Sequence, residues 1–436
     1  MDIYFTKLMV TSNELQLHGS LAFYAWVRAN DSNEAFHEIQ YKIETYNCKV
    51  QCQELPLMPC SENVFKGNDR YLEQYHAAKR YGFANILAVS DKRDLEAVDD
   101  LINSPNGFDR GHFYKTRNWL NNKGRCLHFN RGQECDSIIK AHSIQRASSL
   151  EAIASDDNHV YEMSESLNKQ GFVTLKKQGI SRASVFKGFC KFHDDQVFKK
   201  VDTNLFDCSN KHLALYAYRS ICREVFVKQN SLELFTRQLE TFTVDSREKQ
   251  LIKDVCLGTQ YGYDALLRHK NQYDLMLKNQ DYSELRWAII EFDCVPDIVF
   301  SGVLYPEYDF SGLKLQDLSN ITRGLSLITF CFAPMAEGWA AVFSWRTSDD
   351  KVCGKFVDSL LNNLNKSTAI FRLIVNCCEN TAYAPRWVHS LSAVQHKKMC
   401  EVFTLTARPT SPIRHDYLSE GLEGYVNWKV KKVNRK

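Results

Sequence analysis

The spacing of apolar positions changes between two periods along the first hundred residues. Apolar residues recur near every second position in the runs from Leu21 and Phe83, and at helical spacing in the runs from Ser32 and Asn68. A period near 2 is typical of strands, and a period near 3.6 is typical of amphipathic helices. The pattern predicts a small α/β domain over residues 1–103, for which we expect regulation or partner binding rather than chemistry.

The later part of the chain predicts helices and then a second mixed region. Long helical patterns begin at His212 and Ser246, which defines a helical segment over 208–286. Strand-like runs begin at Trp287, and a helical pattern follows near 352–364, so residues 287–436 are predicted to form an α+β domain. The apolar stretch 325–345 is interrupted by Pro334, Glu337 and Gly338, which favours two buried strands joined by a turn over a membrane span. The predicted fold class is multidomain α+β.

Composition narrows the class of protein further. The 436 residues are 44% hydrophobic and 25% charged, which excludes a disordered chain, and the net charge of only +3 excludes a uniformly basic nucleic-acid binder. The fifteen cysteines follow a start, MDIYFTKLMV, that lacks the basic and apolar regions of a secretory signal. We therefore expect reduced thiols, a cytoplasmic location and no association with membranes.

Positive charge is concentrated in the segment 104–207, which begins with a turn at Pro105-Asn106-Gly107. The window from Arg110 to Arg146 carries a net charge of +6, and the window from Lys176 to Lys200 carries +5. Binding to the phosphates of a nucleic acid is the functional interpretation of these windows. A solvated face balanced by acids from elsewhere in the fold is an equally good interpretation.

The same segment contains two clusters of cysteine and histidine. Zinc prefers four tetrahedral sulfur and nitrogen ligands, and a short loop that carries two of them brings the pair together before the distant pair docks. Cys190-x2-His193 has this spacing, whereas Cys126-x8-Cys135 needs a longer loop, for which Gly132 gives the backbone freedom. The four residues predict a structural Zn²⁺ site in a central zinc-stabilised domain.

Other assignments of the two clusters stay open. His142 is an alternative fourth ligand, in which case Cys126 or His128 is not used and the closed site is structural. Taken singly, Cys126 and Cys190 are also compatible with small hydrophobic residues of a core.

Two motifs around these ligands resemble a treble-clef zinc finger of the HNH nuclease type over residues 120–205. In that family a first zinc knuckle precedes a β-hairpin whose first strand carries the catalytic histidine, and a second knuckle opens a helix. IIKAHSI matches the histidine strand and FCKFHDD matches the second knuckle. The resemblance implies that His142 is a general base, that Asp194 stands where the family has a metal-binding histidine, and that Mg²⁺ or Mn²⁺ assists phosphodiester hydrolysis. Where the family has an asparagine, this chain has Ser184, Val185 and Phe186.

A second resemblance extends over more of the chain. The phrases AHSIQ, FCxxHD, RSICRE and SGVLYPEYDFSG are similar to those of uncharacterised bacterial proteins from phage-defence settings, which implies antiviral action and nucleic acid as a target. Three function classes follow: an HNH-like nuclease, a zinc-stabilised module that binds nucleic acid without cleaving it, and a regulatory subunit that binds a protein partner.

Two polar sets outside the cysteine clusters are weaker candidates for a site. The first lies between apolar runs of the C-terminal domain and comprises Asp297, Glu307, Asp309, Glu379 and Asn380. The second is the run Asp156-Asp157-Asn158-His159. Asp and Asn favour turns for backbone reasons, so acids of turns and loops are the simpler interpretation of both.

Overall fold

The computed structural model describes residues 1–12, 21–65, 69–89, 110–168, 172–242, 247–318, 320, 324–406 and 414–436. The chain divides into two compact units: 1–110 with 235–262 and 318–324, and 111–234 with 263–317 and 325–436. The predicted boundary at 103–104 and the turn at 105–107 lie outside the described residues, and the boundaries at 207 and 286 stay predictions. The predicted α+β class is confirmed.

The first unit contains a four-stranded antiparallel sheet with two helices. Its strands are β1 (Asp2–Ser12), β2 (Leu21–Ala29), β3 (Cys48–Cys60) and β4 (Phe83–Val89), in the order β3-β1-β2-β4. Its helices are α1 (Ser32–Thr45) and α2 (Asp69–Tyr81). The Asp31 carboxylate accepts hydrogen bonds from the amides of Asn33 and Glu34 and so caps α1. The strands and helices that the sequence periods predict here are confirmed.

Strand β2 is buried on both faces, which explains why it is apolar almost throughout. Phe23 packs in one cluster with Ile39 of α1, whereas Trp26 packs in another with Tyr75 of α2. Successive side chains of a strand point to opposite faces, so each helix covers one face of the sheet.

The second unit is built on an eight-stranded sheet. Its strands, with two that pair separately, are β5 (Ile138–His142), β6 (His159–Leu167), β7 (Val173–Gly179), β8 (Val185–Cys190), β9 (Leu285–Phe292), β10 (Ile298–Leu304), β11 (Ile328–Pro334), β12 (Trp339–Arg346), β13 (Thr381–Tyr383) and β14 (Val430–Arg435). The sheet has the order β14-β9-β12-β11-β10-β13-β6-β7 with antiparallel neighbours, and β5 pairs with β8 in a separate two-stranded sheet. The predicted strand pair within 325–345 is confirmed as the antiparallel hairpin β11–β12.

The helices of the second unit follow in chain order. They are α3 (Arg110–Asn122), α4 (Glu151–Ile153), α5 (Lys191–Thr203), α6 (Asn210–Leu239), α7 (Arg247–Asn279), α8 (Asp350–Leu361), α9 (Lys366–Cys377), α10 (Pro385–Ser390) and α11 (Ala393–Thr406), of which α6 and α7 also supply residues to the first unit. None of the helices within the described residues combines the length and the apolar character that a membrane crossing requires.

The large sheet is buried on both faces. Phe343 and Trp345 of β12 share one core with Phe356 of α8, whereas Val342 points into a second core with Ile221 of α6. Phe189 of β8 belongs to that second core as well. Helix α6 therefore packs both on the sheet and on the segment that contains the predicted zinc ligands.

Candidate metal centre

The first two predicted ligands lie in the loop that follows α3. The Leu127 amide donates to the Gly188 carbonyl at 2.8 Å, which ties the start of the loop to β8. The loop turns at Gly132, whose φ is +87°, and the Gly132 amide lies 3.4 Å from the Cys135 sulfur. A glycine adopts this left-handed backbone at low cost, so the loop returns within nine residues and places Cys135 near Cys126.

The second pair of ligands lies where β8 runs into α5. Cys190 is the last residue of β8, and Lys191 begins the helix, so His193 lies in its first turn. Both side chains are buried. A spacing of three residues across a strand end and a helical turn brings the two side chains together, as the Cys-x2-His pattern predicts.

The four predicted ligands meet at one point. The His193 Nδ1 lies 3.4 Å from the sulfurs of Cys126 and Cys135 and 3.2 Å from that of Cys190, and all four ligand atoms lie within 4.8 Å of one another. In a tetrahedral zinc site, bonds of 2.0–2.3 Å put sulfur and nitrogen ligands about 3.6 Å apart. Three thiols and one imidazole are a donor set of structural zinc sites, so the residues fit a structural metal such as zinc.

His128 and His142 lie outside this group of four. The His128 ring stacks on that of His193 with centroids 4.1 Å apart, and burial lowers the pKa of His128 to about 3, with the His193 and Lys270 charges acting in the same direction. His128 is therefore a neutral packing partner of a ligand. Cys126, and not His142, belongs to the group of four residues that could hold a metal.

His142 is held at the end of β5 by a directional hydrogen bond. Its Nε2 lies 3.1 Å from the Ile180 carbonyl oxygen, which can only accept, so Nε2 carries the proton and Nδ1 keeps its lone pair. Burial lowers the pKa of His142 below its ordinary value, which favours the neutral ring. This tautomer can accept a proton at Nδ1.

Asp194 follows His193, one of the four predicted ligands, and is half-buried. Burial raises the pKa of the Asp194 carboxyl to about 6, although the nearby Arg219 acts in the opposite direction. The charges of Arg219 and Asp202 also act on the pKa of His142, which Arg219 lowers and Asp202 raises. The two residues that the HNH resemblance names as catalytic therefore lie near one ion pair.

This ion pair joins α5 to α6 and was not predicted from the sequence. The Arg219 guanidinium donates to both carboxylate oxygens of Asp202 at 2.8 Å, and it lies 4.2 Å from the Phe198 ring centroid. Arg219 is only 3% exposed. The motif RSICRE contains this arginine, but no local spacing connects it with an aspartate seventeen residues earlier.

A buried polar network holds the backbone beside His142. The Ser143 and Ser184 hydroxyls lie 2.7 Å apart, the Ser184 hydroxyl donates to the Asn380 side-chain oxygen at 2.8 Å, and the Asn380 amide donates to the Ser143 hydroxyl at 2.9 Å. The Asn380 amide also donates to the Ser301 carbonyl at 2.9 Å, so the network reaches β10. Ser184 occupies the region where the HNH resemblance expects an asparagine, and here a distant asparagine bonds to it.

The other polar candidates have separate positions. Asp309 accepts hydrogen bonds from the amides of Ser311 and Leu313 within one turn, and Asp297 pairs with Arg386 at 2.9 Å. Asp157 pairs with Lys177 on the surface at 2.7 Å. Glu379 and Asn380 instead line a pocket of about 240 Å³ with Glu224, Lys228, Gly302 and Cys378. The turn interpretation therefore holds for Asp309, whereas Glu379 and Asn380 line a cavity.

Most cations of the two basic windows lie on the surface. The exposed ones are Lys115, Lys123, Arg131, Lys140, Arg146, Lys176, Lys177, Arg182, Lys191, Lys199 and Lys200. Arg125 has a structural role, since it donates to the Asn230 side-chain oxygen and to the Phe226 carbonyl, both at 2.8 Å. Lys177 and Arg146 face single carboxylates, Asp157 at 2.7 Å and Glu151 at 3.6 Å.

The chain was compared with protein families, with curated proteins and with solved structures. No family model, curated protein or solved structure matches it.

Proposed function

We propose that this protein is a zinc-stabilised nucleic-acid-binding protein that hydrolyses phosphodiester bonds in the manner of an HNH nuclease. One observation carries the proposal: His142 ends a strand whose partner, β8, leads directly into the helix that carries His193 and Asp194. This order of strand, strand and helix around a Cys3His site is the arrangement that the sequence resemblance implies. The tautomer of His142 supports the same role.

In the proposed reaction, His142 is the general base and Asp194 binds the divalent ion. His142 Nδ1 takes a proton from the attacking water, while the Ile180 carbonyl holds the ring in place through Nε2–H. Asp194 would bind Mg²⁺ or Mn²⁺ through its carboxylate, and the divalent ion supplies stabilisation of the negative charge that develops on the phosphate. The four zinc ligands fix the position of α5 relative to β8. They take no part in the reaction, which His142 and Asp194 carry out.

The surface charge supports binding to a polyanion. Exposed lysines and arginines from both basic windows neutralise phosphates and release counterions, so affinity falls as salt rises. We expect a shift of nucleic acid in a gel that weakens steeply between low and physiological salt. A shift that is unchanged by salt contradicts a phosphate-based interaction.

Cleavage by a His142→Ala variant tests the hydrolytic role. With plasmid and Mg²⁺ or Mn²⁺, we expect the variant to lose about 10²–10⁴-fold in rate, the usual contribution of a general base, and to keep its affinity for nucleic acid. His159→Ala, which changes a half-buried histidine beside Asp157, is the matched control and should cleave normally. Equal rates for the two variants contradict the role of His142.

The parent protein alone distinguishes the three function classes. Binding of nucleic acid without cleavage supports the module that binds without cutting. The absence of both binding and cleavage supports the regulatory subunit.

The pH profile of cleavage gives an independent check on His142. A general base must be unprotonated, and burial lowers the pKa of His142 below its ordinary value of 6.5. Activity should therefore persist as pH falls through 6.5 and decline only below it. An acid limb centred above 6.5 contradicts a base in this environment.

The setting of this activity is part of the same proposal. The cysteines whose side chains the structure describes are free thiols, which supports a reducing compartment such as the cytoplasm. Antiviral defence in bacteria is supported by the second sequence resemblance.

A further inference from the structure

Helix α3 carries two exposed aromatic rings on a strongly basic segment. From Arg110 to Gln133 the sequence has six lysines and arginines and no aspartate or glutamate. Thr116 and Leu120 are buried, so this side of α3 packs on protein. On the solvent side, Trp119 is 47% exposed and Tyr114 is 42% exposed. Aromatic rings combined with lysines and arginines are the features with which proteins bind single-stranded nucleic acids.

Each ring lies beside a cation. The Arg117 guanidinium is 5.0 Å from the centroid of the Tyr114 ring, and the Lys123 Nζ is 4.7 Å from that of Trp119. The Lys187 ammonium donates to the Asn122 carbonyl at 3.1 Å, which adds a positive charge at the end of the helix. Glu233 lies 3.9 Å from the Lys123 Nζ and offsets one of these charges. The surface thus combines aromatic faces with groups that attract phosphate.

The end of α3 is fixed against β5. A Cβ on Gly124 would lie 2.3 Å from the Ile138 Cγ2, so only glycine allows this close approach. Arg125, the next residue, is anchored to α6 through the Phe226 carbonyl at 2.8 Å. The C-terminal end of α3 is therefore held beside the start of β5.

We propose that this surface, formed by Tyr114, Lys115, Asn118, Trp119 and Asn122 and called the α3 face, binds the unpaired bases of a single-stranded nucleic acid. The inference rests on the proposed nucleic-acid function and adds to it a mode of binding specific to single strands. Bases of a single strand stack on aromatic rings while lysines and arginines follow the backbone. The bases of a duplex are stacked in its interior, so a duplex can contact the α3 face only through its phosphates.

Fluorescence anisotropy with labelled DNA and RNA strands of about 16 nucleotides, and with the matching duplexes, tests the proposal. We expect Trp119→Ala to weaken single-strand binding at least about fivefold and to leave duplex binding nearly unchanged, since one base–aromatic stack is lost. Trp119→Phe keeps an aromatic face and should restore most of the affinity. Tyr41→Ala is the matched control, because Tyr41 is an exposed tyrosine with the Lys42 Nζ 5.7 Å from its ring.

The outcomes separate this inference from the function on which it rests. Single-strand affinity that Trp119→Ala reduces and Trp119→Phe restores supports the α3 face, and the DNA and RNA arms identify the preferred strand. Salt-sensitive binding of strands and duplexes that Trp119→Ala leaves unchanged overturns the α3 face and keeps the proposed function. Binding of neither form at low salt overturns both. Circular dichroism and metal content of each variant confirm that it is folded.

Discussion

A Cys190→Ala variant is expected to lose a large part of its stability, because it removes one of the four residues that could hold a metal between distant segments. Structural zinc contributes about 10–16 kcal/mol of apparent binding free energy in small zinc domains, and this energy is coupled to folding. A site with three ligands binds more weakly, so we expect the free energy of unfolding to fall on the order of 5 kcal/mol. Cys190 is also fully buried, and its truncation leaves a gap beside the core of β8 and α6.

Chemical denaturation with and without a chelator measures this effect. Chelation should destabilise the parent protein strongly and the Cys190→Ala variant hardly at all, because the variant has already lost the metal. Cys353→Ala is the matched control, since Cys353 is an equally buried thiol in the other core of the sheet. This control should cost about 1–2 kcal/mol and remain sensitive to the chelator. Equal stability of Cys190→Ala and Cys353→Ala contradicts a metal at Cys190.

An Asp202→Ala variant is expected to show the second large effect, because it leaves the Arg219 guanidinium buried without its carboxylate. Arg219 is 3% exposed and makes both charge-assisted hydrogen bonds to Asp202. The Asp202 side chain is 40% exposed, so the loss should lie between the ~0–1 kcal/mol of a surface pair and the ~3–5 kcal/mol of a fully buried one, at about 2–3 kcal/mol. Because His142 and Asp194 lie near this pair, we also expect cleavage activity to fall.

Two further variants isolate the origin of this loss. Glu151→Ala breaks a surface pair, Arg146 with Glu151 at 3.6 Å, and should cost no more than about 1 kcal/mol. The double variant Asp202→Leu with Arg219→Met removes both charges and should recover part of the stability in urea denaturation. An Asp202→Ala protein as stable as Glu151→Ala shows that Arg219 does not depend on its partner.

Local pattern was sufficient to predict most elements and the group of four residues that could hold a metal. Strand β2 and helix α1 follow from their apolar periods, and Cys190-x2-His193 predicts a pair of ligands because three residues across a strand end and a helical turn fix their separation. Helix α9 shows where the apolar period carries little information: its residues from Ser367 to Val375 are all buried, so no polar face marks its turns.

Contacts between distant segments could not be predicted from one sequence. The bond between Asn380 and Ser143 joins residues far apart in the chain, and the Arg219–Asp202 pair joins two helices with no shared motif. The strands β5 and β8 are separated by an insertion whose strands β6 and β7 join the large sheet. Such arrangements are set by tertiary packing, on which local periodicity carries no information.

Metal analysis of the purified protein tests the central claim most directly. We predict one zinc per chain in the parent, in His142→Ala and in Cys353→Ala, and loss of the zinc in Cys190→Ala and His193→Ala. This result assigns the metal to the Cys3His cluster and separates His142 from the ligands. A folded parent protein without stoichiometric metal, or loss of the metal in His142→Ala with retention in His193→Ala, contradicts the account.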